Sequence, residues 1–97
     1  MSAYLVATLE VHDPAGFKSY VIDVPAIVAK FGGRFLVRGG EPELAEGDWP
    51  MPRVTVVEFP TMEKAKEWWN SVEYAPYKQL RQRAARTNAV FVPGLAD

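Results

Sequence analysis

Four short segments of this chain are apolar at odd and even positions alike. They are Ala3–Val11 (AYLVATLEV), Arg34–Arg38 (RFLVR), Arg53–Phe59 (RVTVVEF) and Thr87–Pro93 (TNAVFVP), all rich in the β-branched and aromatic side chains that suit a pleated surface. Val54 and Val56 interleave with Val57 and Phe59, and Ala89 and Phe91 with Val90 and Val92. Successive side chains of a strand point to opposite faces, so a sheet with one wet face alternates apolar and polar residues. A sheet made of these strands wants cover on both faces.

Between the strands stand helical signals. Asp13-Pro14 starts a helix, with a carboxylate to accept from free N–H groups and a proline that gives up a donor lacking a partner anyway. Phe17, Tyr20, Val21, Val24, Val28 and Phe31 then form one helical stripe. Pro25 removes one internal hydrogen bond and predicts a kink, and Gly32-Gly33 predicts a left-handed cap. After the third strand, Thr61 caps a second helix whose inner side is Ala65, Trp68, Trp69 and Val72. A third helical piece is expected over Tyr74–Arg86, with Pro76 in its first turn. Gly39–Pro52 holds four acids, three prolines and no base, and reads as a long loop anchored by Trp49 and docking on basic residues of the same or a partner subunit.

The order strand, helix, strand, strand, helix, strand predicts an α+β, ferredoxin-like βαββαβ sandwich. Its four-stranded antiparallel sheet has both helices on one face. Residues 1–97 suit one domain. Two helices bury one sheet face only, so the other is expected against a second copy, in a homodimer with a barrel-like core.

Composition narrows the chemistry. With no cysteine and a single histidine, His12, thiolate sites, cysteine nucleophiles and multi-histidine metal centres fall away, and no metal or cofactor is expected. A net charge of -1 gives no general attraction to nucleic acid or to an anionic membrane, and neither partner is expected. No apolar run approaches the roughly 20 residues of a membrane span, and no secretory leader precedes Ala3, so a cytoplasmic location is expected.

Several runs carry a family resemblance: Gly32–Gly40 (GGRFLVRGG), Glu46-Gly47-Asp48-Trp49, Glu58-Phe59-Pro60, and Trp69-Asn70-Ser71-Val72-Glu73-Tyr74 with Arg81. Together with Asp13-Pro14, Tyr20 and Pro93-Gly94, they resemble the bacterial domain-of-unknown-function family 1330 over nearly the whole chain. The resemblance implies a dimeric α+β barrel. That superfamily includes cofactor-free monooxygenases, lactone isomerases and haem-degrading enzymes beside members with no known chemistry, so fold alone transfers no reaction.

The candidate ligand-binding residues are Tyr20, Arg38, Glu58, Trp69, Ser71, Tyr74 and Arg81, expected around a pocket between helices and sheet. Glu58 interrupts an apolar strand and needs a cation, with Arg38, Arg53 and Arg81 in view. It reads either as a structural ion pair or as a base in the pocket. Tyr20 and Trp69 lie on stripes that also serve plain packing, and Ser71 suits a helix cap as well as a ligand contact. The arginines favour a small acidic metabolite. A binding protein, a cofactor-independent monooxygenase or isomerase-like enzyme, and a structural module without a small ligand remain the three readings.

Overall fold

The computed structural model describes residues 1–96. The elements run β1 (Ala3–Val11), α1 (Pro14–Lys30), β2 (Arg34–Gly40), β3 (Arg53–Phe59), α2 (Met62–Trp69), α3 (Ala75–Ala84) and β4 (Ala85–Pro93). The strands form one antiparallel sheet in the order β2-β3-β1-β4. This is the expected α+β sandwich, and the expected third helical piece forms as α3.

Local chemistry accounts for most boundaries. The Asp13 carboxylate accepts from Gly16 N at 3.1 Å, and the Thr61 hydroxyl from Lys64 N at 3.0 Å, so both expected caps form. At the end of α1, Gly32 N donates to Ala29 O and Gly33 N to Val28 O, and Gly32 has φ +81°. This is a Schellman cap. Gly33 serves packing: a Cβ there would stand 2.6 Å from the Phe59 ring.

Two boundaries differ from expectation. The chain leaves the helix at Ala85 rather than Arg86, because Ala85 and the residues after it pair with β1 from Val11 inwards. β2 runs on to Gly40, which pairs with Val54, so the irregular loop begins at 41. Within that loop the buried anchor is Met51, while Trp49 is 51% exposed. Met51 is the better fit because it closely precedes β3 and its sulfur meets Arg86 Nη2 at 3.5 Å. The loop's acids reach a base of the same chain at one end, where Glu41 pairs with Arg53 at 2.9 Å.

Pro25 sits inside α1 without ending it. Proline has no N–H, so the carbonyl of Val21, four residues back, loses its helical donor. Arg38 of β2 supplies the replacement by donating Nη2 to Val21 O.

The two sheet faces have different company. Ala3, Leu5, Ala7 and Leu9 of β1 lie buried, and Leu5 joins Val57 and Phe59 in a core with Val24, Val28, Ala65, Trp68 and Tyr74 from the helical layer. The opposite face carries Val6, flanked by Val56 on β3 and Val90 on β4, with Val54 and Val92 nearby. Val90 is 57% exposed. Along its shortest axis the fold extends only 16 Å, the depth of one helical layer on one sheet, so no described element of the chain covers these valines. No helix is long and apolar enough to cross a membrane among the described residues.

Candidate functional site

The helical layer does not close completely on the sheet. A cavity of about 390 Å³ lies between them, floored by Leu5, Ala7 and Val57 and roofed by Tyr20, Val24, Trp68 and Tyr74. Its position follows from the sequence: small Ala7 and Ala89 are paired across β1 and β4, on the side where bulkier residues would fill the space.

Five of the seven expected site residues line it: Tyr20, Arg38, Trp69, Tyr74 and Arg81. Tyr20 from α1 and Tyr74 from the start of α3 bring their hydroxyls to 2.6 Å, and Arg81 Nε donates to the Tyr74 hydroxyl at 3.4 Å. Whichever tyrosine donates to the other, one phenolic proton remains uncommitted. Burial, and then the Tyr74 hydroxyl beside it, push the Tyr20 phenol well above its ordinary range, so it stays protonated at neutral pH.

Arg81 is the most unusual group of the cavity. It is 6% exposed, and among the described residues no carboxylate lies within ion-pair distance of it. Its guanidinium instead stands 5.5 Å from the centre of the Trp69 ring, which Lys78 Nζ also approaches at 4.9 Å. Trp69 is held edge-on by Phe91, with ring centres 5.6 Å apart, and Trp68 stacks on Tyr74 at 4.1 Å. Arg38 lines the opposite margin with Nη2 already engaged by Val21 O.

Glu58 and Ser71 are not among the cavity's lining residues. Val57 and Phe59 face the helices, so the intervening Glu58 faces the open side of the sheet. There Arg34 Nε donates to Oε1 at 2.8 Å and the Tyr4 hydroxyl to Oε2 at 3.1 Å. Arg34, its cross-strand neighbour, is the cation, in place of the three arginines expected. Its hydrogen bond, and next that of Tyr4, hold the Glu58 carboxyl below the usual carboxylate range. The structure therefore places Glu58 in an ion pair, away from the cavity. Ser71 is a local cap: its hydroxyl donates to Trp68 O at 2.8 Å and accepts from Tyr74 N at 3.1 Å. His12 is exposed ahead of α1.

Thr87, Phe35 and Thr55 also line the cavity, although nothing in the sequence alone singles them out. Thr55 shares its strand parity with buried Val57 and Thr87 with buried Ala85, which is the available signal for those two, while Phe35 is placed by its pairing with Val57. Among the described residues, the walls hold two arginines, hydroxyls and indoles, and no carboxylate, imidazole or lysine.

A family model, Domain of unknown function (DUF1330), matches residues 2–95. The chain belongs to the DUF1330 family. No curated protein matches this DUF1330 chain. Among solved structures it is similar to SnoaB, a cofactor-independent oxygenase from Streptomyces nogalater, with TM-score 0.71 and 16% identity over 99% of this chain and 95% of that one. A protein of unknown function from Rhodopseudomonas palustris gives TM-score 0.75 and 16% identity over 99% and 84% of the two chains. A dimeric protein of ferredoxin-like fold from Bacteroides fragilis gives 0.53 and 12% over 96% of each. At such identities the likeness is one of fold, and it confirms the ferredoxin-like class of this DUF1330 chain.

Proposed function

We propose that the cavity binds a small organic anion, a carboxylate or enolate-like oxygen on a flat apolar frame. The observation that carries this reading is Arg81, a guanidinium buried at 6% exposure without a counter-charge among the described residues. A buried cation left unpaired is costly, and an anionic guest offsets that cost. The uncommitted phenolic proton of the Tyr20–Tyr74 pair offers a second donor beside it. A volume of about 390 Å³ suits a molecule of one or two rings.

The likeness to a cofactor-independent oxygenase favours a second reading, turnover of such a guest. Chemistry of that class calls for a stabilised enolate in a dry site, and Arg81 and the phenols are suited to stabilise one. Among the described residues, the walls carry no carboxylate, imidazole or lysine to take a proton, and Tyr20 retains its own. These walls therefore best suit a substrate acidic enough to arrive already ionised. The isomerase alternative needs a protein base, for which the Tyr74 phenol is the lining candidate among the described residues.

The test is thermal unfolding against increasing 2-naphthoate and salicylate. A saturable rise in midpoint is expected, since a ligand of the folded state stabilises it by RT ln(1 + [L]/Kd). Arg81→Met is expected to abolish the rise while leaving the unliganded protein equally or more stable, because an uncompensated buried charge is removed. No rise with either acid would favour a module without a small ligand.

We also propose that the open sheet face packs on a second copy in a two-fold homodimer. Support comes from the contiguous Val6, Val54, Val56, Val90 and Val92 surface, larger than isolated apolar residues on a monomer would explain.

A further inference from the structure

Against the outer edge of β4 lies a second cavity of about 390 Å³, formed by Trp69, Arg81, Gln82, Ala85, Arg86, Thr87 and Ala89. Trp69, Arg81, Thr87 and Ala89 belong to both cavities, so the two share a wall. Their chemistry differs. The inner space is lined mainly by aliphatic and aromatic side chains, whereas the outer one is bounded by two arginines, a glutamine and a threonine.

The polar groups along this boundary have capacity to spare. Thr87 Oγ1 is buried without a hydrogen-bond partner among the described residues. Arg81 donates Nε to Tyr74 at 3.4 Å and bears on the neighbouring Tyr20 phenol, which together use only part of its five N–H donors. Arg86 engages only Nη2, with Met51 sulfur at 3.5 Å and Glu10 at 3.4 Å, which leaves Nη1 and Nε free within the described chain. Donors thus continue from the shared wall outward, in the direction in which apolar lining gives way.

We propose that the natural guest is a two-part, amphipathic anion. Its flat apolar body occupies the inner cavity, and a short linker carries an anionic head to the Arg81–Trp69 boundary that both cavities share, within reach of Arg81 and of Arg86 and Gln82 on the outer side. This rests on the reading of the inner cavity as an anion-binding site and goes further in naming the class, an aryl-alkanoic or similarly extended acid rather than a compact aromatic acid ending at Arg81. The head then lies between Arg81, whose charge it offsets, and Arg86, which adds a second guanidinium that a compact acid does not reach.

Calorimetric titration with 2-naphthoate and 4-(2-naphthyl)butanoate tests it on the full chain. The longer acid is expected to bind about ten-fold tighter, the gain typical of an added charge-assisted hydrogen bond. That preference should fall to near unity in Arg86→Gln, and also in Gln82→Glu, an exposed position where a carboxylate repels the head without disturbing the fold. Equal affinity for the two acids, or a preference unchanged in both variants, would overturn the two-part guest and leave the inner anion site standing. Failure of both acids to bind would overturn both.

Discussion

Arg38 donates to the carbonyl of Val21, the acceptor in α1 that Pro25 leaves without its helical donor. A proline within α1 and an arginine on β2 thus complete one another, and the pair ties the helix to the sheet at the cavity margin. Pro25→Ala restores an N–H to α1, so the two positions should be coupled. Arg38→Met is expected to cost about 1 kcal/mol in the native background and less than half of that when combined with Pro25→Ala. Urea unfolding of the two single variants and the double variant reads the coupling, and equal costs in both backgrounds would refute it.

Tyr20 gives an alkaline signature. Its folded-state phenol is pushed above the ordinary value of about 10, so the folded protein favours the protonated form. The stability this contributes is complete below about pH 9 and is lost as pH rises through 10 and beyond. Tyr20→Phe should cost about 1 kcal/mol at pH 8, and its deficit should shrink by about pH 11. Urea midpoints at the two values decide the matter.

Glu58 has the opposite sign. The Arg34 and Tyr4 hydrogen bonds depress its folded-state carboxyl, so its stabilisation is present above the ordinary value of 4.5 and disappears as pH falls through and below it. Glu58→Gln should lower the thermal midpoint at about pH 7 and narrow the gap between that pH and about pH 3. Affinity for 2-naphthoate should not change, because Glu58 lies on the far side of the sheet. A loss of affinity without loss of stability would return Glu58 to the site.

Val90→Asp probes the open face. The residue is 57% exposed in the single chain, so the subunit should fold, but a carboxylate centred between two copies would be desolvated without a partner. Sedimentation at micromolar concentration is expected to show a dimer for the native protein and a monomer for the variant. A native monomer would refute the assembly.

Where single residues carry strong local chemistry, the structure is legible from the sequence. Asp13-Pro14 and Thr61 announce helices, and Arg53–Phe59 announces β3 to the residue. Arg81 and Tyr74 can be nominated as site residues by chemical type, a cation for an acid and an aromatic face with a polar handle, but α3 is largely polar, so its pattern does not say which of its bases is buried. Glu58 is harder. Its parity between Val57 and Phe59 already sets it facing away from the helices, but its cation depends on β2–β3 register, and the loop over 41–52 is too long for turn geometry to dictate that register. Trp49 suits the anchor of that loop on size alone, whereas Met51, close to the start of β3, is held by the strand's own position. The second cavity is not legible at all, since it arises where a helix meets the sheet edge.

The pleat of β1 gives neighbouring residues different obligations. Leu5 and Ala7 set the shape of the room under the helices, while Tyr4, Val6 and Thr8 answer to whatever lies on the other side. A lineage can therefore exchange odd-numbered side chains to admit a new guest without redrawing the opposite surface, and a slip of one residue would scramble both at once.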